Sequence, residues 1–459
     1  MKVNMSEKTS SSSINSLANR ESDLLGRIES VPFCKWHIKP RVIIGTATFF
    51  DGFDSLSLAY ALPVLIGLWK LSAGQIGMLI AAGYLGQAVG ALMFGVIAER
   101  YGRVFSIKIS IFMMSIVGLA CMFAGNFEVL FVLRFLQGIG LGGEVPVAAT
   151  YINELSRAEG RGKFFMLYEL IFPLSLMVTA QIGALIVPSL GWKWMFLIGG
   201  GAGLLMLPLF FKLNESPRWL ISKGRFDQAE RIVEDLEAAT DIRVPVTMTV
   251  SKPKVKGNWK ELFSPFYRWR TLVVWILWFS AYFISNGLNN WLPSLYKTVY
   301  NLSLEDSLHA ASLTNIVQVV VVIVCALVID KIGRKKWAVG AFFVAGILLL
   351  ALFSNGATSA QSVMFLGSSA YGVVGSITVL LYLYTPEIYP TRMRAIGTAF
   401  ATTWLRLASA IGPMLIGLIL NAKGISYVFI VFAGVCIVGS LVASRMIETK
   451  GRALEDIAP

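Results

Sequence analysis

Histidine and cysteine are scarce, with two His and four Cys in 459 residues. Cys34, Cys121, Cys325 and Cys436 stand singly with no CxxC pair, which leaves neither a cysteine metal site nor a disulfide framework. His37 precedes the first apolar run and His309 falls in a connection, so both read as surface histidines. Charge is short too: 15% of residues are Asp, Glu, Lys or Arg, against 56% hydrophobic and a mean hydropathy of +0.67. No soluble domain of this length keeps that balance. With no metal-ligand cluster and no nucleophile–base arrangement, the residues argue against an enzyme and imply no cofactor and no metal.

What the chain has is long apolar sequence, together with 42 Gly and 29 Phe for close helix packing. About 20 apolar residues cross a bilayer as a helix, because lipid offers the backbone no hydrogen-bond partner. Twelve such runs lie near 42–68, 73–98, 104–124, 127–153, 162–190, 192–212, 270–299, 307–329, 337–354, 359–384, 395–422 and 424–447. The formal net charge of +13 invites a nucleic-acid reading, but its distribution answers it. Lys70, Lys193, Lys297 and Lys423 fall on the outer side, Arg134 and Arg406 fall within spans, and the other basic residues lie in or near cytoplasmic segments. This positive-inside pattern predicts both termini in the cytoplasm, an inner (plasma) membrane location and no nucleic-acid partner.

Residues 1–41, with the Ser10–Ser13 run, read as a polar cytoplasmic tail and not a cleaved signal peptide. Spans within 42–212 and 270–447 then form two six-helix units, joined by a cytoplasmic linker at 213–269 and followed by a tail at 448–459. In the linker, Phe226–Ala238 has the apolar spacing of a short amphipathic helix. GVIAERYGRV (Gly95–Val104) after the second span recurs as ALVIDKIGRK (Ala326–Lys335) after the eighth, so a six-helix unit is duplicated.

These turns resemble the loop signature of the major facilitator superfamily, Gly-x-x-x-Asp-Arg-x-Gly-Arg followed by basic residues. Glu99 stands for Asp, Val104 and Phe105 stand where basic residues are usual, Ala326 stands for Gly and Lys331 for Arg. The resemblance implies a charge latch on the cytoplasmic side, built from Glu99, Arg100, Gly102 and Arg103 and from Asp330, Gly333 and Arg334. A solvated basic turn is the plainer alternative. LRFLQGIGLGGEVPV (Leu133–Val147) matches the superfamily's Arg-x-x-Gln-Gly-x-Gly pattern in the fourth span, and its glycines let a neighbouring helix approach. NESPRWLISKGR (Asn214–Arg225) and YTPEIYPTRMRAIG (Tyr384–Gly397) are similar to sequences of the sugar-porter, synaptic-vesicle-protein-like and organic-ion branches. The implied fold is all-α, with twelve transmembrane helices in two bundles around a central cavity that opens to alternate sides.

Five charged residues are counted at bilayer depth: Asp51, Asp54, Arg134, Glu144 and Arg406. Each costs at least about 2.5–3.5 kcal/mol to insert, so a cavity or a partner is needed. Asp51 and Asp54 share nearly one helix face and disfavour each other's ionisation, as a proton-coupling site requires, and Glu144 and Arg134 of the fourth span are further candidates for that role. A pair merely salt-bridged to basic residues is the alternative. Asp-Gly-Phe-Asp with Pro63 nine residues on resembles the first-span signature of the aromatic acid:proton symporters.

Arg406, seven residues before Pro413, suits a fixed counter-ion for a carboxylate. In that resemblance, organic-anion carriers have Arg at this place and organic-cation carriers Asp. A permanent pair of Arg406 with Asp54 or Glu144 is the alternative. Asn286, Asn289 and Asn290 present amides, and Tyr282 and Trp404, with Phe283 and Trp291, offer stacking walls or simple packing. The expectation is proton-coupled uptake, by a monomer in lipid, of a small organic anion such as a benzoate- or nicotinate-type carboxylate. A sugar or other neutral metabolite is the first alternative, and a transporter-like receptor the second.

Overall fold

The computed structural model describes residues 19–32, 34–155, 169–240, 258–390, 393–450 and 457. The Ser10–Ser13 run, the start of the fifth apolar run at 162–168, linker residues 241–257, Thr391 and Arg392 of the Tyr384–Gly397 motif and most of the final tail lie outside them.

Twelve helices among the described residues are long and apolar enough to cross a membrane. In order they are Ile38–Trp69, Ala73–Tyr101, Arg103–Cys121, Phe127–Glu154, Ile171–Leu190, Lys193–Phe210, Arg268–Thr298, Leu304–Ile332, Arg334–Ser354, Ala360–Glu387, Arg394–Lys423 and Ile425–Ala443. Several outrun the apolar sequence: the first starts at Ile38 instead of 42, and the eighth reaches Ile332 instead of 329. Polar residues at a span's end still close backbone hydrogen bonds while their side chains reach water, so hydropathy underestimates helix length. The third and ninth spans start at the turns Gly102 and Gly333, whose φ of +114° and +95° favour glycine.

The first six spans pack as one group and the last six as another, with the same neighbours in each. Span two lies on four as eight lies on ten, three on six as nine on twelve, and one on five as seven on eleven. Close crossings depend on missing side chains. A Cβ on Gly86, Gly90, Gly138 or Gly142 would run into the backbone of the facing helix, which locks spans two and four together. Between the groups, span two meets eleven, five meets eight, and one meets seven. Cβ atoms on Gly77 and Gly417 would strike the carbonyls of Pro413 and Ala73, and Gln181 Nε2 donates to the Ser312 carbonyl at 3.4 Å. These contacts lie toward the ends of the spans opposite the Gly102 and Gly333 turns, so the two groups are drawn together there.

The segment before the first span is more than a polar tail. Residues 19–30 form a helix that seats Leu24 and Ile28 against Trp219, Leu220, Ile221, Ala229 and Val233. Arg20 pairs with Asp227 at 2.6 Å and Glu230 at 2.7 Å, Arg27 with Glu237 at 2.7 Å, and Arg218 with Glu29 at 2.5 Å. Helix Phe226–Ala238 forms with the amphipathic spacing read from sequence and buries Ala229, Val233 and Leu236. His37, read as a surface residue, is buried, with Nδ1 3.2 Å from the Cys34 amide and 3.3 Å from its sulfur. His309 is exposed.

Candidate functional site

Between the two groups of helices lies a cavity walled by spans one, two and four and the start of five on one side and by spans seven, eight, ten and eleven on the other. Asp51, Arg406, Tyr282, Asn286, Asn289 and Asn290 all line it. Arg406 is 9% exposed. Its Nη2 reaches the Gly142 carbonyl across the interface and its Nη1 the Thr402 carbonyl, both at a long 3.4 Å, while Nε has no hydrogen-bond partner. The alternative of a permanent ion pair with Asp54 or Glu144 does not hold: among the described residues Arg406 has no carboxylate within ion-pairing distance, and Asp51 is an acid that shares the cavity wall with it. Asp51 is itself buried in the wall with Oδ1 unbonded.

Asp54 takes a different place. Three residues along a helix turn a side chain by about 60° from its starting face, and this carries Asp54 out of the cavity wall into the first six-helix group. There it is fully buried, with neither carboxylate oxygen hydrogen-bonded. Arg134 lies alongside, donating Nη1 to Gln137 Oε1 at 2.7 Å and to the Asp54 backbone carbonyl at 3.3 Å. A Cβ on Gly83 would sit 3.1 Å from Arg134 Nη2, so that glycine leaves room for the guanidinium. Glu144 is fully buried behind Thr48, a wall residue whose Oγ1 donates to Glu144 Oε1 at 3.1 Å. Its second oxygen is unbonded.

The amides are partly engaged. Asn286 Nδ2 donates to Ser409 Oγ at 2.5 Å, and Asn290 Nδ2 to the Asn286 carbonyl at 2.8 Å and across the interface to Tyr84 Oη at 3.2 Å. Asn289 Oδ1 accepts from Asn315 Nδ2 at 3.1 Å. Tyr282 stacks on Trp278 at 5.5 Å and 4°, and Trp278 meets Tyr382 edge-on at 4.6 Å. Trp404 is a correction, because it does not line the cavity. It packs on Trp275 at 5.5 Å and Phe279 at 6.4 Å. Two residues on a helix differ by about 200°, so Trp404 and Arg406 face opposite ways. Phe283 and Trp291 are core residues, Phe283 against Phe432 and Trp291 donating Nε1 to the Pro413 carbonyl at 3.1 Å.

Sequence reasoning missed the wall residues Glu169, Tyr382, Tyr84, Gln87 and Gln318. Glu169 had a signal of its own, as an acid inside the apolar run assigned to the fifth span, and it adds a carboxyl to the cavity wall.

The two signature turns form matching clusters. Arg103 pairs with Glu99 and Glu154, both at 2.9 Å, and Glu215 Oε1 accepts from the Arg103 amide at 3.0 Å. Arg334 pairs with Asp330 at 2.9 Å and Glu387 at 3.2 Å, and Glu448 Oε1 accepts from the Arg334 amide at 2.9 Å. Each cluster joins its own six-helix group to the segment that follows it, the linker through Glu215 and the tail through Glu448. Burial raises the affinity of Glu215 for a proton, against the pull of the three backbone amides it caps. Trp219 joins the first cluster, donating Nε1 to the Glu99 carbonyl at 3.1 Å. Arg100 lies outside, its guanidinium 5.4 Å from the Tyr101 ring. Among the described residues no group of His, Cys, Asp and Glu is arranged to hold a metal.

Residues 32–459 match the family model described as sugar (and other) transporter. The niacin transporter NiaP of Acinetobacter baylyi is 32% identical over 448 residues, covering 95% of this chain and 99% of that protein. The 4-hydroxybenzoate transporter PcaK of the same organism is 28% identical, over 89% and 90%. Among solved structures, the partially occluded inward-open xylose transporter XylE from E. coli matches with a TM-score of 0.73 at 21% identity, over 91% of this chain and 99% of that one. The chain is therefore a multi-pass membrane transporter, not an enzyme, has the major facilitator fold and belongs to the sugar (and other) transporter family.

Proposed function

We propose that this protein is a proton-coupled symporter that takes up a small organic anion, an aromatic or heteroaromatic carboxylate of benzoate or nicotinate type. The observation that carries this reading is Arg406, a guanidinium in the cavity wall with no ion pair among the described residues and an unbonded Nε. A carboxylate would supply the missing acceptor in a bidentate pair. The asparagine amides would hold polar substituents, and Tyr282 would offer its ring. Trp404 has no part in it.

Asp51 is the proton carrier nearest the substrate, and Asp54 with Arg134 the carrier inside the first helical group; Glu144 is next in line. A proton taken up with the substrate supplies the driving force and offsets the charge that Arg406 meets. The two helical units rock about the cavity, both termini face the cytoplasm, and the Glu99, Gly102, Arg103 and Asp330, Gly333, Arg334 clusters, with Arg100 at their edge, bias which side is open. Support for the anion comes from NiaP and PcaK, whose names state organic-acid substrates. Uptake into proteoliposomes from a panel of aromatic acids, sugars and cations, with and without an imposed proton gradient, tests it.

A neutral sugar is the second reading, favoured by the amides in the wall: Asn286, Asn289, Asn290, Gln87 and Gln318 suit hydroxyl groups. Arg406 is what it leaves without a use.

A further inference from the structure

The cavity holds more acid than Arg406 needs. Asp51 shares its wall, yet a second carboxyl, Glu169, lines the same cavity just before the fifth span and is partly exposed. Tyr282 and Tyr382 line the same cavity as Glu169 and Arg406. Tyr282 and Tyr382 are in turn fixed against the faces and edge of Trp278. The wall thus offers a guanidinium with an unbonded Nε, an aromatic surface and a carboxyl group. A monocarboxylate on a plain hydrocarbon ring would use the first two and leave the third facing apolar carbon, which costs the carboxyl its hydrogen bonds.

Resting on the organic-anion reading above, we propose that Glu169 is a specificity residue that reads a ring nitrogen, so that the preferred substrates are pyridinecarboxylates and not benzoates. The ring carboxylate faces Arg406, the ring lies along Tyr282 and Tyr382, and the Glu169 carboxyl donates its proton in a hydrogen bond to the nitrogen lone pair. One proton is shared between an oxygen and a nitrogen, and no covalent bond is made or broken. A site built to hydrogen-bond a substrate atom rejects the analogue lacking it far better than an apolar pocket rejects an added group.

The test is equilibrium binding of benzoate and the three pyridinecarboxylate isomers to the purified full chain and to two variants. Wild type should favour at least one pyridine isomer over benzoate by about tenfold or more, the span of one hydrogen bond. Glu169→Met, of similar size with no donor, should bring that ratio to about one by weakening the pyridine acid and relieving the cost that benzoate meets there, and a wild-type thermal unfolding profile reports that the variant is folded. Glu169→Gln should keep part of the preference through its amide N–H. A ratio unchanged in Glu169→Met overturns the proposal, as does equal loss of both acids in both variants, which would make Glu169 a structural residue. Benzoate bound as well as every pyridine isomer by wild type overturns it while leaving the organic-anion reading intact. Binding of none of the four acids removes both.

Discussion

Gly199 of the sixth span presses on the carboxylate of Asp54 in the first, so closely that a Cβ there would collide with Oδ1. Asp54 is held in a slot that only glycine leaves open. Gly199→Ala must displace either the helix or the carboxyl, at a cost of about 1–3 kcal/mol for overpacking. We expect this variant to fold with lowered thermal stability and to lose proton-driven accumulation. Wild-type accumulation by Gly199→Ala would mean that the position of Asp54 is irrelevant to coupling.

Asp54→Asn should abolish accumulation against a gradient while sparing exchange of labelled for unlabelled substrate, since an amide fills the slot but carries no exchangeable charge. Asp51→Asn should weaken accumulation and substrate binding together, because Asp51 lies in the cavity wall and Asp54 behind it. If both single variants accumulate substrate as wild type does, Glu144 is the next site to test.

Arg103→Ala removes contacts to Glu99, Glu154 and the Ala98 carbonyl at the end of the first signature turn, far from the cavity wall. Turnover should slow while equilibrium binding in detergent changes little, because the cluster acts on the balance between conformations. A loss of affinity as large as that of a cavity variant would contradict this.

The helix at residues 19–30 docks on the linker helices through both an apolar face and ion pairs at its solvent-accessible margin. Leu24 is 1% exposed, so Leu24→Ala should cost about 2–5 kcal/mol of docking. Arg27→Ala should cost no more than about 1 kcal/mol, since its partners are solvent-accessible. Hydrogen exchange across Phe226–Ala238 reads this: fast exchange in the Leu24 variant and near wild-type exchange in the Arg27 variant are expected, and the reverse order would show that charge holds the helix.

Much of this arrangement is legible in sequence because lipid makes two signals strong. Apolar length announces a span, and a charge such as Asp51 or Arg406 inside one announces a cavity or a partner. Helix phase decides what faces what, and it is least legible for single residues: Trp404 turns away from the cavity that Arg406 lines, and Asp54, three residues from Asp51, turns inward. Glu169 lies inside its apolar run, but just ahead of the helix that starts at Ile171, and hydropathy alone does not tell such a charge from a loop residue. The partners of Arg103 and Arg334 were half visible. Glu99 and Asp330 are one helical turn away, but Glu215 and Glu448 arrive from the far end of each six-helix group, a juxtaposition no local pattern records.

Charge recognition by Arg406 is the central claim, and it is tested most directly by measuring the affinity of a substrate acid and its uncharged amide for wild type, Arg406→Lys and Arg406→Ala. Loss of a charge-assisted, bidentate contact worth about 1.5–3 kcal/mol should weaken binding of the acid by roughly 10- to 150-fold in Arg406→Ala. Lys keeps the sign without the planar fork, so Arg406→Lys should retain weak binding of the acid. The amide should bind wild type poorly and lose little more in Arg406→Ala. Equal losses for acid and amide in that variant would make Arg406 a structural residue and contradict the organic-anion account.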